Sequence, residues 1–437
     1  MLNYQSPKGK KIAYIDKTLK AGVAMLVLSQ KNLSNTLFLW LVFSCVGGAQ
    51  AEQNIDIQTA FNIFPEKHWD ITTVNKVDLN DDKVKRLFDL SFEDSSTQGV
   101  ALFKQGMLVD ERYADGFNKE SLATSWSMAK SFYAALIGIS IERGEINSLD
   151  DKVSEYLDYF KDNRRDMTLR QLLNMASGLE MPADEHEKMF FNQDHLAYAK
   201  KIDLDKAPGK KFEYNNVNSM LLADILFRAT GVPADTLLRE RILKKIGMDN
   251  VTLWRDSADN PLTYCCIDTT IRQYARFGLL FSRAGKWQDQ QIIPNAFVDE
   301  TFQLKWNNIA SDSLQIKRGY SLHWWISRHD KEAKIFNASG KFGQYIFVDP
   351  ENDTVFVRVT KYHSTGGNVI DWGPLKIVNQ YGSVEFRRKL ADFLARLGIV
   401  DIHKDVRAPM TFDDGVSKEF NTNYGKIVDA LVALHQP

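Results

Sequence analysis

The sequence has few cysteines, almost no net charge and no long run of like charges. Only 3 of its 437 residues are cysteine, and Cys265 and Cys266 are neighbours that cannot join distant parts of the chain. A disulfide framework is therefore excluded, and we interpret this pair first as small buried residues and second as pocket-lining thiols. The formal net charge of −1 gives no reason to expect a nucleic acid or an anionic membrane as partner.

Three catalytic fingerprints are also missing. The chain has no Gly-x-Ser-x-Gly, no P-loop and no dinucleotide-binding glycine pattern, which argues against an α/β-hydrolase, a nucleotide enzyme and an NAD enzyme. Acidic and histidine residues do cluster at Asp184-Glu185-His186-Glu187 and at Asp194-His195. They lack the His-x-x-x-His spacing that places two ligands on one helix face. We therefore predict no metal site and no cofactor.

The N-terminal region has the pattern of a secretory signal peptide. Lys31 precedes an apolar core at residues 37–48, and Ala49-Gln50-Ala51 supplies small residues ahead of a cut before Glu52. The core is too short to span a membrane comfortably. We predict that residues 1–51 are a signal peptide and that the protein is exported to the periplasm. Met25 is an alternative start, and a lipid anchor at Cys45 is the weaker alternative for export.

Strand and helix patterns divide the rest of the chain into two parts. β-Hairpins are predicted at residues 100–113 and 345–359, with a further strand at 319–326. Helical periodicity dominates the middle of the chain and recurs near both ends; the predicted helices cover residues 83–91, 219–230, 234–246, 268–284 and 384–397, besides one after Ser127. This order predicts an α+β fold. An antiparallel sheet flanked by helices (residues 52–125 and 305–437) is interrupted by a mostly helical domain (residues 126–304).

One segment combines a serine, a lysine and a helix start. Apolar residues recur at positions 128, 132, 136 and 139, which predicts a half-buried helix that ends at Gly144. Ser127 then lies near the helix N-terminus, and Lys130 shares its face. A serine becomes a nucleophile when a base removes its proton, and a lysine can be that base if burial lowers its pKa. The plain alternative is a helix cap followed by a solvated lysine.

Two later segments carry chemistry of a matching kind. Tyr214 and Asn216 precede a helix, where a tyrosinate could share the base role and an amide could hold a substrate carbonyl. The alternative is a packed tyrosine and a capping asparagine. Ala338-Ser339-Gly340-Lys341 leads into the late hairpin, where glycine would let a substrate reach backbone N–H groups that act as an oxyanion hole. The alternative there is a plain glycine loop.

These three segments, in this order, resemble the serine hydrolase superfamily of class C β-lactamases, penicillin-binding proteins and 6-aminohexanoate-dimer hydrolases. The resemblance extends over about residues 99–394 and includes residues 168–179. It implies a β-lactamase/transpeptidase-like fold, with Ser127 as the acylated nucleophile and Lys130 and Tyr214 as its proton-transfer partners. It also implies an oxyanion hole made by the N–H groups of Ser127 and Lys341. The implied substrate-binding residues are Asn216, Ser339, Gly340 and Lys341.

The sequence departs from this family at Ala338, where β-lactamases and transpeptidases have a cationic residue that helps to hold the substrate carboxylate. The departure favours a hydrolase of small-molecule esters or amides, closest in motif to the 6-aminohexanoate-dimer hydrolase and esterase branch. A β-lactamase or D-alanyl peptidase is the alternative within this fold. A non-catalytic sensor or binding module is the alternative from another class. The sequence names neither the substrate nor the oligomeric state.

Three further segments have less definite roles. Tyr264-Cys265-Cys266 matches a loop that lines the pocket in relatives, and His363 could reach the same pocket or lie on the surface. His323-Trp324-Trp325 could be a carbohydrate platform, although an aromatic core strand is the interpretation we favour.

Overall fold

An eight-stranded antiparallel sheet organises the computed structural model, which describes residues 63–181, 185–190, 192–311, 316–330, 333–363, 368–371, 375, 378, 384–404, 408–409 and 418–436. The signal peptide that we predict at residues 1–51, with Cys45, lies outside these residues. Among the helices of these ranges, none has the length and apolar character needed to cross a membrane.

A long stretch of sequence separates the first two strands of the large sheet from its other six. The strands are β1 (Thr97–Lys104), β2 (Met107–Tyr113), β3 (Ala123–Thr124), β4 (Thr252–Leu253), β5 (Ile267–Thr269), β6 (Lys286–Trp287), β7 (Gln290–Gln291), β8 (Trp306–Ser311), β9 (Ile316–Ser321), β10 (Trp324–His329), β11 (Lys334–Gly340), β12 (Gln344–Asp349), β13 (Thr354–Thr360), β14 (Tyr362–His363), β15 (Asn368–Asp371), β16 (Asp401–Lys404) and β17 (Ala408–Pro409).

Most of the helices lie in that stretch of sequence. They are α1 (Asp81–Phe92), α2 (Ala129–Glu142), α3 (Val153–Tyr156), α4 (Leu169–Leu173), α5 (Glu185–Phe190), α6 (His195–Lys200), α7 (Asn216–Met220), α8 (Leu222–Thr230), α9 (Ala234–Leu238), α10 (Ile271–Ser282), α11 (Asn295–Thr301), α12 (Val384–Arg396) and α13 (Lys418–Ala433). Short 3₁₀ turns cover Val74–Val77, Trp126–Met128, Asp158–Phe160 and Lys341–Gly343, and a π-helical turn covers Arg239–Leu243.

The large sheet has the strand order β2-β1-β13-β12-β11-β10-β9-β8. Strand β1 pairs with β13, so the chain leaves the sheet after β2, builds the helical region, and returns at β8. In the sequence, the helical region is therefore inserted between two parts of the sheet. This arrangement confirms the predicted α+β class, in which a helical part interrupts an antiparallel sheet.

Both faces of the sheet are covered, which explains the long apolar runs in its central strands. On β12, Ile346 and Val348 face the core formed with α2 and α10, whereas Tyr345 and Phe347 face the core formed with α1 and α13. Successive side chains of a strand point to opposite faces, so each face receives every second residue. The first of these cores holds α2 in place beside the sheet.

The predicted strand over residues 319–326 is wrong in one respect. The chain reverses at Leu322 and His323, whose φ values are 40° and 65°, and the segment forms the antiparallel hairpin β9–β10. Neither residue is a usual turn residue. The turn is instead fixed by its surroundings, because the Leu322 N–H donates to the Asn174 side chain (3.0 Å) and the His323 N–H donates to the Leu173 carbonyl (3.0 Å).

Candidate active site

Ser127 lies in the tight turn that leads into α2. The 3₁₀ turn Trp126–Met128 continues directly into the helix that the periodicity predicts, but α2 is buried on all sides from Ala129 to Ser140 rather than half-buried. The turn is anchored to β5, because Ser125 exchanges two hydrogen bonds of 2.8 Å with the backbone of Ile267. Trp126 has a φ of 47°, an unfavourable conformation for a bulky residue that the anchored turn maintains. The half-buried Ser127 side chain is thereby held in a fixed position.

Lys130 is almost fully buried, with 1% of its surface exposed. Its Nζ lies 2.8 Å from Ser127 Oγ, from Asn216 Oδ1 and from the carbonyl oxygen of Tyr264. None of these three partners carries a negative charge. Burial lowers the pKa of Lys130 well below its ordinary value, because a charged amine loses its hydration in such a site. The solvated helix lysine considered above is therefore excluded.

The three contacts of Lys130 suit a neutral amine as well as an ammonium group. A neutral amine has two N–H donors and one lone pair. The carbonyl oxygens of Asn216 and Tyr264 can only accept hydrogen bonds, so they take the two N–H groups. In the charged form Lys130 Nζ donates to Ser127 Oγ, whereas in the neutral form its lone pair faces Ser127 and can accept from the hydroxyl. The neutral form gives the arrangement that general-base activation of a serine requires.

Tyr214 is the second polar group at Ser127. Its side chain hydrogen-bonds Ser127, and burial raises the pKa of Tyr214 to about 12, an effect partly offset by that bond and by the charge of Arg318. The resting group is therefore a phenol. A tyrosinate base, which the sequence left open, is disfavoured at neutral pH. The ring of Tyr214 stacks on Trp325 at 5.6 Å, and the Arg318 guanidinium lies 3.7 Å from the Trp325 ring centre.

Asn216 and its neighbour have separate tasks. Asn215 caps α7, since its Oδ1 accepts from the Val217 N–H (2.9 Å). Asn216 is the first residue of the helix and places its Oδ1 on Lys130. The structure thus assigns the capping role to Asn215 and leaves the Asn216 side chain at the site.

The edge of β11 comes close to the Ser127 turn. Its pairing with β12 continues to Gly340, whereas its pairing with β10 ends at Asn337. A Cβ added to Gly340 would lie 2.2 Å from the Ser125 carbonyl oxygen, so only glycine permits this approach. Ser339 is half-buried here, and Lys341 is exposed at the start of the next turn. Ala338 is fully buried in the apolar core, which leaves no cation at this position.

Aromatic side chains that the sequence reasoning did not single out pack around Trp126, the residue before Ser127. The Trp126 ring contacts Phe190 at 5.7 Å and Phe342 at 5.5 Å between centres. They come from three distant segments, so no local pattern could group them. The one sequence feature that pointed to this cluster is that Trp126 directly precedes Ser127.

Among the remaining candidates, the two cysteines, Asp194 and His195 have structural partners. Cys265 and Cys266 are buried, as expected, but they are bonded to each other and are not free thiols. Asp194 caps α6, and His195 Nδ1 lies 3.0 Å from the Tyr264 hydroxyl. Within the described ranges, no group of three or more His, Cys, Asp or Glu residues could hold a metal. Asp184 and the side chains of His186 and His363 lie outside the described residues.

Comparisons with known proteins agree with this fold. A family model described as Beta-lactamase matches residues 84–376. A D-aminopeptidase from Brucella anthropi is 31% identical over 176 residues, which are 36% of this chain and 33% of that protein. The chain thus matches about a third of the length of this curated relative.

Two solved structures show the same likeness at lower identity. A structure from Bacillus anthracis, named as a 6-aminohexanoate-dimer hydrolase, aligns with a TM-score of 0.57 and 22% identity over 77% of this chain and 89% of that one. A family VIII carboxylesterase aligns with a TM-score of 0.52 and 16% identity over 64% of this chain and 90% of that one. At these identities the likeness establishes the fold alone.

Proposed function

The chain belongs to the beta-lactamase family of hydrolases, and on this premise we propose that it cleaves an ester or amide bond through an acyl-enzyme on Ser127. The observation that carries the proposal is the environment of Lys130. A buried amine with a lowered pKa contacts a serine hydroxyl at 2.8 Å, and its two other partners can only accept hydrogen bonds. These features support the roles that the sequence resemblance implied for both residues.

Acylation would begin with proton transfer from Ser127. As Oγ attacks the substrate carbonyl carbon, the neutral Lys130 takes its proton, and the carbonyl electrons move to the oxygen. The N–H groups of Ser127 and Lys341 would stabilise this oxyanion. The Gly340 contact that draws the end of β11 against Ser125 supports this placement. Asn216 and the half-buried Ser339 would position the substrate beside the open edge of β11.

Release of the leaving group requires a proton donor, and Tyr214 would supply it. The phenol hydrogen-bonds Ser127 and is protonated because its pKa is raised. Donation to the leaving oxygen or nitrogen would be followed by return of the proton from Lys130, whose Nζ lies 5.2 Å from the Tyr214 ring centre. Water would then attack the acyl-enzyme with the same two groups acting in reverse.

The lack of a cation at Ala338 bears on the substrate. A buried alanine gives no charged group for a substrate carboxylate at this position, so we propose an ester or amide without that carboxylate rather than a β-lactam. Lys341 is exposed at the end of the strand, where it could hold a carboxylate in another way. The D-aminopeptidase and carboxylesterase relatives make short esters and D-amino-acid amides the first substrates to test.

The test compares three substrates with the purified protein and with Ser127→Ala. The substrates are a short-chain p-nitrophenyl ester, a D-amino acid p-nitroanilide and a chromogenic cephalosporin. Ester or anilide turnover that the variant lacks would support the proposal. Rapid cephalosporin turnover would instead restore the β-lactamase alternative. No turnover of any substrate, together with no labelling of Ser127 by a phosphonate, would favour a non-catalytic binding module.

We further propose that the protein acts after export. The proposal depends on the signal-peptide pattern of residues 1–51 and is tested by N-terminal mass analysis of the protein from a periplasmic extract. A mature chain that begins at Glu52 would support it, and a retained N-terminal segment in a cytoplasmic fraction would contradict it. We also propose that residues 126–304 form the inserted, mostly helical domain.

A further inference from the structure

We propose that His323 is a positioning residue for acylation, which rests on the proposed function of Ser127 and Lys130. His323 is buried in the β9–β10 turn, with 2% of its surface exposed. Within the part of the chain that the structure describes, its hydrogen bonds reach no reacting atom. Its hydrogen bonds instead join the segments that surround Lys130.

The backbone of His323 holds the catalytic helix. Its carbonyl oxygen accepts a hydrogen bond of 2.7 Å from Ser131 Oγ, and Ser131 follows Lys130 on α2. Its N–H donates to the Leu173 carbonyl at the end of α4 (3.0 Å). The turn is thus fixed to two helices, and it restrains α2 at the residue next to the proposed base.

The ring of His323 holds the two other segments that contact Lys130. Its Nε2 lies 3.0 Å from Ser219 Oγ on α7, the helix that begins at Asn216. The Ser219 carbonyl in turn accepts from Thr263 Oγ1 at 2.7 Å, and Thr263 precedes Tyr264. The Asn216 and Tyr264 oxygens that take the N–H groups of Lys130 are therefore both connected to this one ring through Ser219.

The charge state of the ring suits this role. Burial lowers the pKa of His323 well below its ordinary value, so the imidazole is neutral over the working pH range. The other ring nitrogen, Nδ1, lies 3.3 Å from the Tyr320 hydroxyl on β9. Lys130 from α2 and Tyr320 from β9 are the titratable groups that face the ring. The α7 and α4 segments present the Ser219 hydroxyl and the Leu173 carbonyl, which do not titrate.

The decisive variants separate the backbone of His323 from its ring. His323→Asn keeps a residue that tolerates positive φ but cannot reach Ser219, whereas His323→Gln places an amide near the position of Nε2. We expect Asn to lower kcat for the ester by roughly 10- to 100-fold, because small displacements of reacting groups have effects of this size. KM should change by less than about threefold, since no substrate contact is removed. Gln should restore part of the lost kcat.

The pH profile distinguishes positioning from simple stability. The shorter Asn side chain opens space for water beside Lys130, which reduces its desolvation and raises its pKa. The acid limb of kcat/KM should therefore move to higher pH in His323→Asn. The matched control is His435→Asn. That ring is also largely buried and lies 3.2 Å from a hydroxyl, that of Thr354 at the β12–β13 turn, away from Ser127. The control should leave both kcat and the acid limb unchanged.

Ser219→Ala, with Ser127→Ala as a control, tests the role of His323 independently. Ser219→Ala removes only the hydroxyl partner, so it should lower kcat in the same direction and be non-additive with His323→Asn. If His323→Asn does not fold, Ser219→Ala decides alone. Wild-type kcat and an unshifted acid limb, in a protein whose Ser127→Ala form is inactive, would overturn the role of His323 and leave the proposed function standing. Activity that survives in Ser127→Ala would overturn both.

Discussion

Replacement of Gly340 by alanine gives a sharp test of the site geometry. The added Cβ would lie 2.2 Å from the Ser125 carbonyl oxygen, a backbone atom in the turn that carries Ser127. An ordinary contact begins at 3.4 Å, so the β11 edge and the Ser127 turn must separate by about 1 Å, a misplacement that can lower a rate by roughly 100-fold. Neither partner yields easily, because β11 pairs with β12 up to Gly340 and Ser125 is bonded to Ile267.

We therefore expect Gly340→Ala to lower kcat for the ester by about 100-fold and to destabilise the fold by about 1–3 kcal/mol through overpacking. The assay is steady-state kinetics at a temperature well below the unfolding transition, with thermal unfolding measured in parallel. The control is Gly278→Ala, whose Cβ would lie 2.6 Å from Val355 at the α10–β13 contact, inside the core. It should lose similar stability but keep kcat. Wild-type kcat in folded Gly340→Ala would refute the proposed link between the β11 edge and the nucleophile.

Two other predictions concern buried ionisable side chains. Lys130→Met should lower kcat by at least about 100-fold yet raise Tm, because an apolar side chain replaces a buried amine. The pKa of Lys130 is lowered in the folded protein. Between that pKa and about 10.4, the unfolded chain therefore binds a proton that the folded chain lacks, so the free energy of unfolding of the wild type should rise with pH. An equal rise in Lys130→Met would contradict this. Asp94→Asn leaves buried Arg358, 2.7 Å away with both side chains 2% exposed, without its counter-ion and should cost about 3 kcal/mol in urea unfolding. Asp89→Asn, which breaks the exposed pairs with Lys85 and Arg112, should cost less than about 1 kcal/mol; equal losses would contradict the role of burial.

Local patterns in the sequence were sufficient for the main elements. The apolar spacing after Ser127 predicts α2, and the Gln105-Gly106 and Glu351-Asn352-Asp353 turns predict the hairpins β1–β2 and β12–β13, because these signals depend on neighbouring residues alone. The order of strands and helices then predicts the α+β class. The turn at Leu322 and His323 was missed because distant hydrogen bonds, rather than its own residues, stabilise its two positive φ values.

The site was only partly predictable for a similar reason. Ser127 and Lys130 are one helical turn apart, so the sequence alone indicates that they meet. The lowered pKa of Lys130 depends on burial by segments far away in the chain, and its third partner is a backbone carbonyl, that of Tyr264, which no side-chain motif can reveal. The same holds for the aromatic contacts of Trp126.

The most direct test of the proposed mechanism is to identify the nucleophile by covalent labelling. The protein is treated with a fluorophosphonate, residual ester hydrolysis is measured, and the labelled peptide is sequenced by mass spectrometry. We expect one adduct on Ser127, loss of hydrolysis in proportion to labelling, and no adduct in Ser127→Ala, whose kcat should be lower by about 10⁴-fold or more. An adduct on another residue that accounts for the lost activity, or hydrolysis that persists in Ser127→Ala, would contradict it.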